Sequence, residues 1–431
     1  MRKFFVCMGL AAAGSAGLQA AYTPDLNPME TAKVWSMSGT LRGFYDDNYN
    51  TQPSGPAKRN SFGFEVSPSF SLNVPLQQTE LGLRYIYGLY YYQDRETLGL
   101  NPIDQTHQFD FWVDHAFNER FQAKVQDSVV VAQDPQLLNG GTYQRTEGNN
   151  LHNLGSITLD SQWTRLVSTE LTYQNNYYDY QQSGGNVFNP SLAGQLNRIE
   201  NLVSQTINWL VMPTMTAYVG YAFEDISYIG NESIGVAKLV PPTPYNSQNK
   251  NNVSHYVFVG ANYTPLDNLN LGAKAGIQYI DYYNPPPGLP TTDTLSPYAQ
   301  ISATYTYLPG SYVQFGFNQT RSASSVVNQN PALPGTIALD QETSAIYGTL
   351  NHQFSPRVTG NLVGTIDYST INGGGYNGQS ETFYSLGLNV AYTFNQHVSA
   401  EVGYNYDDLS SNIPGQWYNR NRVYLGVTGT Y

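Results

Sequence analysis

Strict alternation of large apolar with small or polar side chains, sustained for about ten residues at a time, restricts the fold of this chain more than any other feature. Near the C-terminus Tyr384, Leu386, Leu388, Val390, Tyr392 and Phe394 alternate with Ser385, Gly387, Asn389, Ala391 and Thr393. After a break at 395–397 the pattern resumes, with Val398, Ala400, Val402, Tyr404 and Tyr406 set against Ser399, Glu401, Gly403, Asn405 and Asp407. Early in the chain Phe62, Phe64, Val66, Phe70, Leu72 and Val74 alternate with Gly63, Glu65, Ser67, Ser69, Ser71 and Asn73. Period two belongs to an extended strand with one face for lipid and one for water, not to a helix.

The breaks between runs alternate short with long. Short turns fall near 75–78, 118–120, 162–164, 213, 265–268, 309–311, 355–357 and 395–397. Longer polar segments fall near 50–60, 93–104, 133–149, 181–195, 228–251, 282–294, 322–338, 370–379 and 408–416. About eight turns and about nine loops join about eighteen strands, with both ends on the short-turn side, which in bacterial barrels is the periplasm. The sequence therefore predicts an all-β, closed antiparallel transmembrane barrel with short periplasmic turns and longer extracellular loops.

Composition agrees. Aromatic residues make up 14% and charged residues only 12% of the chain, about half the charged fraction of a soluble domain. No run beyond the N-terminus approaches the roughly 20 apolar residues of a membrane helix, and the mean hydropathy is −0.39. Gly220, Gly276, Gly316, Gly364 and Gly403 recur several residues after short turns. Propeller blades bury both sheet faces, whereas these strands are large on one side only, so the glycines read as relief for the curvature of a closing sheet. A tyrosine-rich sandwich is the bland alternative.

At the N-terminus Arg2 and Lys3 precede an apolar stretch over 4–18 and a small-residue exit at Gln19, Ala20 and Ala21. This reads as a secretory signal peptide over 1–20, followed by a short periplasmic segment over 21–32 and the barrel over 33–431. The only cysteine, Cys7, lies in the leader, so neither disulfide nor thiol chemistry is expected.

Aromatic residues gather at strand ends. Phe117, Phe121, Trp209, Tyr263, Tyr305, Tyr307, Phe354 and Phe394 mark one interface, and Tyr91, Tyr92, Tyr177, Tyr178, Tyr228, Tyr282, Tyr283 and Tyr368 the other. The last strand alternates Val423, Leu425, Val427, Gly429 and Tyr431, ending on an aromatic residue. It resembles the C-terminal signature that outer-membrane barrels present to the β-barrel assembly machinery, with Gly429 departing from the usual bulky residue. On pattern, turns and terminus the chain is similar to the outer-membrane porin-like group called putative β-barrel porin 2. That resemblance implies an integral outer-membrane protein and carries no specific functional residues.

A barrel of this strand number leaves an aqueous channel. Candidate pore-lining residues are Arg42, Glu65, Glu80, Arg84, Asp110, Asp114, Lys124, Glu170, Glu224, Lys274, Asp367, Glu401 and Arg422; most would only solvate the wall, a few would set selectivity. The segment over 133–149, with Gly140 and Gly141 to bend it and Asp134, Arg145 and Glu147 for charge, either folds into the mouth or stays outside. With the leader removed, 20 basic residues become 18 against 32 acidic ones, a formal −14, which favours cations modestly.

Passive diffusion of small hydrophilic solutes, sugars or small cations, is the leading reading. An exopolysaccharide export pore is the second, and a barrel protease or phospholipase the third. Catalysis is disfavoured because His107, His115, His152, His255, His352 and His397 are scattered, without an HExxH or GxSxG motif. No cofactor, metal or nucleic-acid partner is expected. Partners are lipid, the assembly machinery, solutes and, by family analogy alone, two further copies in a homotrimer.

Overall fold

A computed structural model describes residues 33–135, 142–146, 148–182, 191–237, 243–289, 293–327 and 337–431. The expected signal peptide and the 21–32 segment lie outside the described residues, as do Gly140, Gly141 and Glu147. The first strands are β1 (Trp35–Asp46), β2 (Ser61–Pro75), β3 (Thr79–Tyr92), β4 (Ile103–Ala116), β5 (Phe121–Ala132), β6 (Asn150–Gln162), β7 (Val167–Asp179), β8 (Arg198–Met212) and β9 (Met215–Tyr228). A small hairpin, β10 (Ser233–Ala237) and β11 (Thr243–Asn246), interrupts the series. The wall resumes with β12 (Asn252–Leu266), β13 (Leu269–Asp281), β14 (Thr294–Leu308), β15 (Ser311–Ala323), β16 (Asp340–Ser355), β17 (Val358–Asn372), β18 (Ser380–Asn395), β19 (Val398–Ser411) and β20 (Tyr418–Thr430).

These form one 18-stranded antiparallel sheet in which each strand pairs with its sequence neighbour. β9 passes to β12 across the hairpin, and β20 returns to β1. The seam is sealed by Tyr431 N donating to Met37 O at 2.8 Å and Met37 N donating to Tyr431 O at 3.3 Å. Closure leaves no open edge, which is what lets a sheet cross lipid.

Register carries the sequence alternation round the ring. Arg42 lies opposite Glu65 on β2 and Gly426 on β20, so these positions share the inner face. Leu41, Val66 and Val427 share the outer face and are exposed, as are Phe109, Ile157, Val203, Val259, Ile301, Phe315, Leu388 and Leu425. An apolar belt on a closed barrel is the mark of a transmembrane wall. Phe117, Trp209, Tyr263, Tyr305, Phe354 and Phe394 flank its short-turn rim, all exposed.

The recurring glycines have a sharper cause than curvature. A side chain at Gly403 would collide with the ring of Tyr424, one at Gly316 with Tyr347 and one at Gly220 with Phe258. Each ring lies flat across the inner wall of the neighbouring strand, covering backbone that only glycine leaves accessible. Gly276 faces the backbone of β12 at Val257 and Phe258, whereas Gly364 meets Leu386 at ordinary contact distance.

The buried core sits inside the long-loop end. Tyr91, Tyr177, Tyr283 and Tyr368 do not share the burial of their neighbours: Tyr92, Tyr178, Tyr228 and Tyr282 are buried. Period two turns these four into the barrel, where loops cover them. Two short helices, α1 (Gln93–Thr97) and α2 (Leu192–Leu196), belong to those loops. α2 starts where Ser191 Oγ accepts from Gly194 N at 3.0 Å, and all five of its residues are buried.

Candidate functional site

The predicted charges divide into paired and singly bonded groups on the inner face. Arg42 Nε reaches Glu401 at 2.5 Å and its Nη1 reaches Glu65 at 3.2 Å, while Arg422 lies 3.8 Å from Glu65. Arg84 pairs with Asp110 at 2.7 Å and Lys124 with Asp160 at 2.9 Å. Asp114 accepts from Gln122, Glu224 from Tyr256 Oη at 2.5 Å and Asp367 from Thr365 at 3.0 Å. Lys274 donates to Tyr298 Oη at 2.8 Å. Register sets Glu80 opposite Asp114 and Glu170 opposite Asp160. The structure thus brings Arg42, Glu65, Glu401 and Arg422 together and spreads the others round the wall.

Several inward charges escaped the sequence reading. Arg420 is held between Asp46, at 2.7 Å, and Asp134, at 3.0 Å. Asp104 bridges Arg95 at 2.6 Å and Arg145 at 2.8 Å. Arg198 pairs with Glu200 at 2.6 Å, and Arg321 with Asp340 at 3.3 Å. Asp46 and Arg420 continue the alternation of Arg42 and Arg422 by even steps, so extending the pattern to the strand ends finds them. The loop partners Asp134 and Arg145 carry no such periodic signal.

Charge is unevenly distributed. Apart from Arg321 and Asp340 at the outer ends of β15 and β16, strands β17 to β20 and β1 to β9 carry the inward acids and most of the inward bases. β14 to β16 present Ser296, Tyr298, Gln300, Ser302, Gln314, Asn318, Thr343 and Tyr347, a neutral hydrogen-bonding surface.

Two loops reach across the long-loop end. From the segment after β5, Tyr143 stacks on Phe383 of β18 with ring centroids 4.5 Å apart. Its hydroxyl donates to Asp367 at 3.4 Å, and its carbonyl accepts from Tyr418 Oη at 2.8 Å. Gln144 Nε2 donates to Gly415 O at 3.0 Å, and Arg145 N donates to Thr51 Oγ1 at 2.7 Å. The described part of 133–149 therefore folds inward. From the segment after β15, Val327 packs among Val130, Tyr178, Leu192 and Leu196 on the far wall, while its carbonyl accepts from Gln416 Nε2 at 2.5 Å. Val326 joins Ala338, Ile371, Tyr376 and Ile413. Such apolar burial holds a loop in place at about 1.5–3 kcal/mol per large side chain.

Lys250, in the short helical turn over 247–250, ends this inner layer. It is buried, donates to Gln195 O at 3.0 Å and lies 4.4 Å over the Tyr228 ring. Burial, then the nearby Arg198 guanidinium, lowers its pKa to about 7. A small cavity beside it is lined by Gln195, Ile234, Val326, Ile337, Ala338 and Tyr376. Burial likewise pushes the Tyr143 hydroxyl well above the usual phenol range.

Four of the histidines engage hydroxyls, and none of these contacts joins a nucleophile to a base and an orienting acid. His107 meets Tyr85 at 2.9 Å, His255 meets Tyr221 at 2.8 Å, His352 meets Tyr307 at 2.8 Å and His115 meets Thr79 at 2.8 Å. Among the described residues no cluster of His, Cys, Asp and Glu could hold a metal ion.

Residues 334–431 match the family model described as putative beta-barrel porin 2. No curated protein matches the chain. Among solved structures, a BenF-like porin from Pseudomonas fluorescens Pf-5 is 11% identical over 92% of this chain and 99% of its own, with a TM-score of 0.45. Acinetobacter baumannii OccAB4 is 10% identical over 94% and 100% respectively, with a TM-score of 0.43. Pseudomonas aeruginosa OpdK is 9% identical over 93% and 100%, with a TM-score of 0.43.

Proposed function

We propose that this barrel is a passive channel for small hydrophilic solutes, uncharged sugars or small cations, restricted in size by the loops that cross its outer half. The observation that carries the reading is the contact of Tyr143 with Phe383, in a barrel whose inner face is largely polar in its short-turn half. Eighteen strands enclose a water-filled lumen, and a loop laid across it sets the bore. The neutral surface of β14 to β16 offers hydroxyl and amide partners to sugars. Among the described residues, inward acids such as Glu80, Asp114, Glu170, Glu224, Asp367 and Glu381 have no cation within ion-pair distance, which enriches cations. Export of a thick polymer fits poorly, because two loops occupy the outer half.

Export through a cleaved leader and folding by the assembly machinery complete the reading, and N-terminal sequencing of the membrane form tests cleavage after residue 20. The channel is tested in planar bilayers, with discrete conductance steps in KCl expected. The reversal potential across a tenfold KCl gradient is expected to show modest cation preference that declines at high salt. Clear anion selectivity at low salt overturns the cargo assignment, and absence of steps overturns the channel.

A further inference from the structure

Midway along β5, on the face that meets lipid, stands Asp127. Its neighbours Lys124 and Ser128 turn inward, to Asp160 and Asp110, whereas Asp127 shares a row with Val125 and Val129 and lies opposite Phe111 and Gly155. Among the described residues its carboxylate takes one side-chain hydrogen bond, from Asn153 Nδ2 at 2.8 Å, and no cation lies within ion-pair distance. Amides continue the patch across the next three strands. Asn175 Nδ2 donates to Asn201 Oδ1 at 2.9 Å, Tyr173 Oη donates to the same oxygen at 2.8 Å, and Gln205, exposed at the centre of β8, has no side-chain bond among the described residues.

Lipid tails supply no partner for such groups, so polar side chains at this depth face protein. Another outward polar cluster, Gln319, Glu342 and Ser344 near the outer ends of β15 and β16, is satisfied within the chain: Gln319 Nε2 donates to Glu342 at 2.8 Å, Gln319 Oε1 accepts from Ser344, and Glu342 lies 3.7 Å from Arg321. The outward face of β5 to β8 carries no Lys or Arg, so an anionic lipid headgroup finds repulsion from Asp127 rather than a counter-charge. The patch itself holds both unused amide donors, on Asn201 and Gln205, and unused acceptors, on Asp127 and Asn175. A surface that is its own complement is what an isologous twofold contact requires. Gly155, beside Asp127, removes the side chain that would keep two walls apart, and Ile157, Leu171, Val203 and Ile207 surround the patch with apolar contact area.

We propose that the wall of β5 to β8 is a dimer contact with a second copy of this chain, about an axis normal to the membrane, in which Asp127 accepts from the partner's carboxamides. The full chain is extracted from membranes and placed in lipid nanodiscs, and its mass is measured particle by particle. A mass of two copies is expected. Asp127→Cys combined with Gln205→Cys in one chain, in a Cys7→Ser background, is expected to give an oxidant-induced cross-linked dimer, while Val259→Cys on β12 gives none. Combining Asp127→Leu with Gln205→Leu is expected to raise the protein concentration at which dimers form at least tenfold, with the heat-modifiable folded band retained. Monomers throughout, a mass of three copies, equal cross-linking on the β5–β8 wall and at Val259→Cys, or a tightly bound glycolipid lost from the double leucine variant each overturns the contact. Should the double variant not fold, the cross-link comparison decides alone.

Discussion

Tyr143 and Phe383 are 240 positions apart in sequence, yet their rings stack 4.5 Å apart at 20° between planes. One belongs to a loop that leaves β5 and the other to the opposite wall. The contact is the clasp of a strap over the lumen.

Undoing the clasp tests the strap without dismantling the wall. An aromatic pair contributes about 0.5–1.5 kcal/mol beyond its area, so Tyr143→Ala is expected to raise the ratio of open to closed strap about 2- to 13-fold. Single-channel recordings should show larger or more frequent open levels, and neutral oligosaccharides should enter at greater length. Unchanged conductance and cut-off would remove the strap from the permeation path.

Arg420 carries more stability than permeation. With 1% of its side chain exposed, it is held by Asp46 and Asp134, so Arg420→Met leaves Asp46 buried without its counter-ion. The expected loss is about 3–5 kcal/mol, read from the urea midpoint of the heat-modifiable form. Arg420→Lys should recover little, because one ammonium cannot reproduce the guanidinium fork.

Lys250 makes docking of the inner loops depend on pH. Burial and Arg198 hold its pKa at about 7 when docked, against the ordinary lysine value of 10.5 when released. Between those values the released loop binds a proton that the docked loop lacks. Docking therefore strengthens as pH rises through that window, and below it the penalty is complete and flat. Open probability should fall from about pH 7 to about pH 9, and Lys250→Met should abolish the slope. A flat wild-type profile would falsify the assignment.

Tyr431 closes the seam and ends the alternation expected to be read during assembly. Its ring lies 5.5 Å from Trp35 and its backbone bonds Met37. Tyr431→Asp is expected to leave unassembled chain that periplasmic proteases remove, checked by immunoblot of unheated outer-membrane fractions. Normal levels of the folded band would assign closure to the backbone pairing alone.

The ring-covered glycines permit a double-mutant cycle. Gly403→Val should displace Tyr424 and cost about 1–3 kcal/mol. In a Tyr424→Ala background the same change should cost less, with a coupling of about 0.5–3 kcal/mol measured by urea unfolding.

Strand number, turn positions and the side on which Arg42, Glu65 or Lys124 emerges were legible because a closed sheet repeats one rule, alternation, at every step. The same rule explains Tyr91 beside Tyr92, where adjacent residues face opposite media although both look like girdle. The loops were not legible in this way. Val327 among Val130 and Leu192, or Tyr143 on Phe383, depends on contacts between distant segments, and no local periodicity encodes them. The recurring glycines were visible as a repeat, but their covering rings lie on the next strand over, so only the register reveals why they recur.

Because each strand of the wall pairs with its neighbours in sequence, and the seam between β20 and β1 has the same antiparallel geometry as every other pair, the ring has no architectural beginning. A chain joined from Tyr431 to Lys33 through a short linker and opened at the short turn after β12 keeps every strand pairing. Such a circular permutant separates what the wall needs from what the assembly machinery reads: its strands are complete, and only the identity of its last strand has changed.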